Sequence, residues 1–168
     1  MKNKSSFALC CLLLALLISV GKINAQENNI FEINDSNSLS KSTNKKDNDR
    51  DEFYKLAFNM HTTAYLKDNT IKTIYGDGAI KKVTIQDLNS FNILTSNTSK
   101  FKDVVLINIF IKSLNELNNH KDISNLTELQ KLKYVFIRCS FECNKEDIQN
   151  FIKTNPNVRV FYNADKPS

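Results

Sequence analysis

The stretch Val104-Val105-Leu106-Ile107-Asn108-Ile109-Phe110-Ile111 carries a single polar residue in eight. A strand with one face in water alternates apolar and polar side chains. A run this continuous belongs to a strand covered on both faces, which points to the inside of a parallel sheet. Tyr134-Val135-Phe136-Ile137 has the same character, and Val158-Arg159-Val160-Phe161-Tyr162 supplies a third, shorter strand. The segments between them read as helical: Leu114 and Leu117 follow the first run, and Ile148, Phe151 and Ile152 share one face of a helix after the second. Asn144, with Asp147 three residues later and Glu146 beside it, is the cap of that helix. Asn155-Pro156-Asn157 stops it. Strands joined through helical connections imply right-handed crossovers and a parallel arrangement, so the expected class is α/β.

Upstream of these strands the pattern changes twice. Thr70-Ile71-Lys72-Thr73-Ile74-Tyr75 and Ile80-Lys81-Lys82-Val83-Thr84-Ile85 flank Gly76-Asp77-Gly78, which predicts a β-hairpin turning on the glycines. A phosphate loop there lacks the following helix start and lysine. Between Phe53 and Leu66 helical spacing (Phe53, Leu56, Ala57, Met60, Ala64) competes with strand spacing (Phe58, Met60, Thr62, Ala64, Leu66). Residues 26–52 are built largely of Asn, Ser, Asp, Lys and Glu, and residues 44–52 contain no apolar side chain. Such composition buries too little surface to offset the entropy of ordering, so a disordered tether is expected there. The Ile30-Phe31-Glu32-Ile33 island within it either pairs with a sheet edge or binds a partner, or remains a transient cluster. Lys2 and Lys4 ahead of an apolar run from Phe7 to Val20, with Ala25 offering a small residue before Gln26, form the pattern of a secretory signal peptide. The expected organisation is a signal peptide over residues 1–25, a tether over 26–52 and a single α/β domain over 53–168.

Leu126-x-x-Leu129-x-x-Leu132-x-x-Val135-x-Ile137 resembles the strand entry of leucine-rich-repeat proteins, in which each repeat contributes one strand and one helix to a shared core. Phe101-x-x-Val104-x-Leu106 matches its final part, and Val158-x-Val160 echoes it. Taking Val83, Val104, Val135 and Val158 as corresponding positions gives intervals of 21, 31 and 23 residues. The consensus asparagine or cysteine falls three places after the last strand leucine, at Ile109 and Ser140, with Asn108 and Cys139 one place early. The resemblance covers about the last 70 residues. It implies a short strand-helix repeat with parallel strands, leucine-rich-repeat-like; a small open sheet fits the same pattern. In either case a β-hairpin region comes first.

The sharpest chemical feature is Cys139-Ser140-Phe141-Glu142-Cys143, after a buried strand and before a capped helix. A thiolate at a helix N-terminus is stabilised by the dipole and becomes reactive, as in thiol oxidoreductases. The order of strand, C-x-x-x-C and helix is similar to the copper-chaperone branch of the thioredoxin-like fold. No histidine follows His120 to complete that metal site, however, and only 25 residues follow Cys143. In an exported chain two thiols at this spacing favour a disulfide, so Cys139 and Cys143 are the disulfide candidate. His61 and His120 stand alone, without acidic or cysteine partners in a ligand pattern, and Glu142 lies between the cysteines as a conceivable base. No catalytic residue, metal ligand set or cofactor is implied.

The formal charge of +5 falls to +2 once Lys2, Lys4 and Lys22 leave with the leader, and no basic cluster interleaved with aromatics appears downstream, which argues against nucleic acid. No membrane span is expected after leader removal. Asn34-Asp35-Ser36, Asn97-Thr98-Ser99 and Asn125-Leu126-Thr127 are glycosylation acceptors in a eukaryotic host. The resulting expectation is an exported, non-enzymatic module that binds another protein or a cell-surface partner. The alternative is a thiol-disulfide or metal-handling protein using the cysteine pair.

Overall fold

The computed structural model describes residues 29–33, 45–96, 98–126 and 129–165. The expected signal peptide lies outside them. In chain order the elements are β1 (Ile30–Glu32), α1 (Lys45–Phe58), β2 (Thr63–Lys67), β3 (Thr70–Tyr75) and β4 (Lys82–Ile85). A 3-10 turn (Leu88–Asn92) leads to α2 (Ile93–Ser96) and α3 (Thr98–Phe101). Then come β5 (Leu106–Ile111), α4 (Leu114–Leu117), β6 (Lys121–Asp122), β7 (Tyr134–Cys139), α5 (Lys145–Phe151), β8 (Ile152–Lys153) and β9 (Arg159–Ala164).

Seven strands form one sheet in the order β1-β9-β7-β5-β4-β2-β3, parallel except for the β2–β3 pair. The fold is therefore mixed α/β with a mostly parallel sheet. β6 and β8 form a separate two-stranded parallel ribbon. From β2 through β4, β5 and β7 to β9, each neighbour in the sheet is the next main-sheet strand of the chain once the β3 edge is set aside. Both faces are covered, as the apolar runs require. On one face the rows Ala64-Val83-Ile107-Val135-Val160 and Leu66-Ile85-Ile109-Ile137-Tyr162 pack with Leu94, Phe101, Leu117, Ile148 and Phe151 from the short helices. On the other face Leu106, Tyr134, Phe136 and Phe161 receive Phe53 of α1.

The expected hairpin lies one strand earlier than predicted. β3 folds back on β2 through Asp68-Asn69, while β4 runs parallel to β2 and does not pair with β3. Asp68 and Asn69 both take positive φ, 50° and 54°, the two-residue type I′ geometry whose twist matches that of the flanking strands. Asp and Asn are the side-chain-bearing residues that most readily enter this region, so a turn could form here without glycine. Gly76 instead permits a close approach of two backbones, since its φ is 91° and a Cβ there would lie 3.0 Å from the Thr62 backbone. Thr62 in turn donates from Oγ1 to the Asp77 carbonyl at 2.6 Å, so the crossing from β3 to β4 packs against the start of β2.

Two pieces of the segment expected as a tether form regular structure. β1 pairs in parallel with β9, Ile33 N–H extends the ladder to the Tyr162 carbonyl, and Asn29 donates to the Pro156 carbonyl. α1 begins at Lys45. It has no apolar stripe for its first two turns, so its composition reads as solvated. It is held through a few contacts: the fully buried Phe53, an ion pair from Asp49 to Arg159 at 2.8 Å, and Glu52 bonded to both Lys133 and Tyr134. Lys82, on β4, aims its ammonium at the Leu56, Ala57 and Asn59 carbonyls at the end of α1. A cation at a helix C-terminus meets both the orphan carbonyls and the negative end of the dipole. Burial pushes the Lys82 pKa down.

The register also corrects the spacing of corresponding strand positions. Val83 aligns with Ile107, Val135 and Val160, at intervals of 24, 28 and 25 residues, and not with Val104 and Val158. An unbroken apolar run has no internal phase, so a pattern can slide along it; only pairing with neighbours sets the register.

Candidate functional site

On the α1 face, the C-terminal ends of the parallel strands stay open. Phe110, Arg138 and Asn163 stand in register on β5, β7 and β9. Lys67 and Gln86 extend this row, each one residue beyond the aligned Leu66 and Ile85. These five side chains, one from each of five successive strand ends, line a cleft of about 340 Å³. Lys112, Ser140 and Asp165 complete its rim, and Cys139 and Ile111 contribute to its walls. In open α/β sheets ligands characteristically bind outside the carboxyl ends of the strands.

The cleft is electropositive by composition: Lys67, Lys112 and Arg138 face one carboxylate, Asp165. Among the described residues none of these cations forms an ion pair. The Arg138 guanidinium lies 4.8 Å from the centroid of the Phe110 ring and 5.9 Å from that of Phe136. A cation–π contact of this kind holds the fork in place while leaving its N–H edge free for a ligand. Glu116 approaches the rim but its carboxylate accepts the Lys112 backbone N–H at 2.7 Å, closing the turn into α4. Behind the row, Asn108 is buried with its Oδ1 lacking a partner, and Asn163 Oδ1 is likewise occluded and unbonded.

The sequence-predicted pair is also here. Cys139 ends β7 and Cys143 directly precedes Asn144, the cap of α5, and the two side chains are hydrogen-bonded to one another. Both are buried free thiols and not at disulfide distance, so the expected bridge is not formed in the structure. Burial pushes both thiols up in pKa, most strongly Cys139, whose bond to Cys143 adds to the effect. The Asp147 carboxylate works in the same direction. That carboxylate is present because the cap is a full capping box: Asn144 Oδ1 accepts from the Glu146 and Asp147 amides while Asp147 accepts from the Asn144 amide. The helix that was to activate the thiolate thus brings an anion beside it.

The two histidines serve the backbone. His61 Nε2 bonds the Lys55 carbonyl at the end of α1, and His120 Nδ1 bonds the Asn150 carbonyl of α5. Glu142 is exposed. Among the described residues no group of three or more His, Cys, Asp or Glu is placed to hold a metal ion, and no helix is long and apolar enough to cross a membrane. Asn34 and Asn97 lie outside the described residues, and Asn125 is exposed. Sequence reasoning missed Lys67, Gln86, Arg138 and Asn163 because each is an ordinary polar residue just past the end of an apolar run, and Phe110 because it lies within one. The usable signal was positional: polar side chains at the carboxyl ends of parallel strands are where such sheets carry function.

A second concavity lies at the other end of the same face, where Phe58, Met60 and Tyr75 are exposed around the end of α1 and Lys82. Neither protein-family models nor curated proteins nor solved structures match this chain, so its functional reading rests on the geometry just described.

Proposed function

We propose that this chain is an exported, non-enzymatic binding module of leucine-rich-repeat-like build, which recognises a protein partner through the open end of its sheet. The observation that carries the reading is the in-register row of Lys67, Gln86, Phe110, Arg138 and Asn163, one side chain from each of five successive strands. Stacked strand-helix units use such rows as extended recognition surfaces. The repeat-like build is supported by the sequential strand order and by the intervals of 24, 28 and 25 residues. Ser140, at the consensus position after its strand, also fits: its amide donates to the Ile111 carbonyl at 3.1 Å and its Oγ to the Lys112 carbonyl at 3.2 Å, tying one turn to the preceding one. Export rests on the Phe7–Val20 apolar run and the small residue at Ala25. The thiol-chemistry alternative is disfavoured by burial of both sulfurs and by their raised pKa values, opposite to what a nucleophilic thiol requires.

The test uses the full chain expressed with its leader in its native host. A photo-crosslinking amino acid at Gln86 or Ser140 is expected to give one discrete protein adduct in the exported fraction, and the same group at exposed Asn118 none. The exported chain is expected to begin at Gln26 by intact mass. Equal labelling at Asn118, or no adduct from either cleft position, overturns the binding reading; recovery of the unprocessed chain in membranes overturns export.

A further inference from the structure

We infer that the cleft takes an acidic peptide segment in extended conformation, laid across the strand ends with its carboxylates over Lys67, Lys112 and Arg138. This rests on the reading of the open sheet end as a binding surface and names its ligand.

The first argument is charge. Three cations converge on the cleft without ion-pair partners among the described residues, against the single carboxylate of Asp165 at the β9 end. The second is geometry. The Arg138 guanidinium lies over the Phe110 ring and near Phe136, so its fork is held before any ligand arrives, which suits a planar carboxylate taken through two parallel N–H bonds. The third is length. From Lys67 on β2 to Asn163 on β9 is four strand spacings, about 19 Å at about 4.8 Å each. A free carboxylate or inorganic phosphate fills only a fraction of that row, whereas roughly six residues of extended chain span it. Asp165 sets polarity, disfavouring acidic residues at the β9 end.

The experiment follows binding to the isotope-labelled exported chain by backbone amide shifts, with four probes: acetylated hexaglutamate, hexaglutamine, hexalysine and inorganic phosphate. Hexaglutamate is expected to bind and to move the amides of Phe110, Arg138 and Asn163. Its affinity is expected to fall ten-fold or more on Arg138→Glu and between 50 mM and 500 mM salt. Hexaglutamine and hexalysine are expected not to bind, and phosphate at equal concentration not to displace the peptide. Arg138 and Lys67 are both exposed, so Lys67→Glu serves as a second variant should Arg138→Glu fold poorly. Equal binding of hexaglutamine, indifference to the charge reversal, or displacement by phosphate overturns the inference. If hexaglutamate fails while crosslinks at Gln86 persist, the acidic ligand is wrong and the binding surface stands. If the crosslinks are absent as well, that reading falls too.

Discussion

Truncation of Phe53 to alanine isolates the contact that holds α1 to the sheet. The Phe53 side chain is 0% exposed. Its ring is stacked on Phe161 with centroids 3.9 Å apart and meets Phe136 and Tyr134 edge-on at 5.4 and 5.8 Å. Large-to-small changes at buried phenylalanines destabilise by about 3–5 kcal/mol, and each aromatic pair contributes about 0.5–1.5 kcal/mol beyond its buried area. With its three pairs to the sheet lost, Phe53→Ala is expected to destabilise by about 4 kcal/mol. That is a large share of the roughly 5–15 kcal/mol available to a domain of this size. In urea unfolding, a slope of about 2 kcal/mol per molar places the midpoint about 2 M lower. The melting temperature should fall by roughly 8–16 °C. Because the rest of α1 is held by partly exposed ion pairs, the loss should release the helix locally. Protease cleavage within residues 45–58 should then precede global unfolding, with Tyr134, Phe136 and Phe161 becoming available to a hydrophobic dye. Leu56→Ala, at a half-buried position, should cost less than half as much. A Phe53→Ala loss below about 1 kcal/mol, or equal cleavage of α1 in the parent protein, would refute the account of α1 as a packed layer.

Thiol labelling of the native reduced chain should be slow at Cys139 and Cys143 and fast only on unfolding, since both sulfurs are buried with raised pKa values; rapid alkylation of either near neutral pH would revive the thiol-chemistry alternative. Asp87→Ala should destabilise by about 1–2 kcal/mol by equilibrium unfolding, because Asp87 caps the 3-10 turn through Ser90 N–H and also accepts the Asp68 amide, clamping the β2–β3 turn to it. An unchanged midpoint would show that clamp to be idle. Stability should decline as pH falls below about 4.5, and the sign follows from the carboxylates held down in the fold: Glu52 by its bond to Lys133, and Asp122 by its bonds to Ser124. Asp87 joins them, its desolvation outweighed by bonds from Asp68, Ser90 and Asn89. A depressed folded-state pKa gives stability that is present above the unfolded-state pKa and lost as pH drops through the folded value. Denaturation midpoints that stay flat from pH 5 to pH 3, or an acid limb unaltered by Glu52→Gln, would contradict this assignment.

Local chemistry was legible wherever a short segment decides its own conformation. The capping box at Asn144 and Asp147 needs only four consecutive residues, and the structure forms it where the sequence places it. The apolar runs at 104–111 and 134–137 likewise announce strands buried on both faces, because they are short and rich in β-branched and aromatic residues, which fits a covered strand better than a helix. From such runs the parallel α/β class follows, with helical connections between strands.

What only the tertiary structure decided is every relation between segments distant in sequence. The register Val83-Ile107-Val135-Val160 depends on how neighbouring strands dock, and an apolar run offers no mark by which to read it. The turn at Asp68-Asn69 was chosen over Gly76–Gly78 because β4 prefers the parallel slot beside β2, leaving β3 to fold back alone on the edge. α1 and β1 arise from composition that reads as solvated, and they are ordered by partners about 80 to 130 residues away: Lys133, Tyr134, Arg159 and the backbone of β9. The cleft belongs to the same class. Lys67, Gln86, Phe110, Arg138 and Asn163 share no motif, and they meet only because successive parallel strands end side by side. Backbone propensity and burial are properties of a window of sequence; a site assembled across a sheet is a property of the pairing.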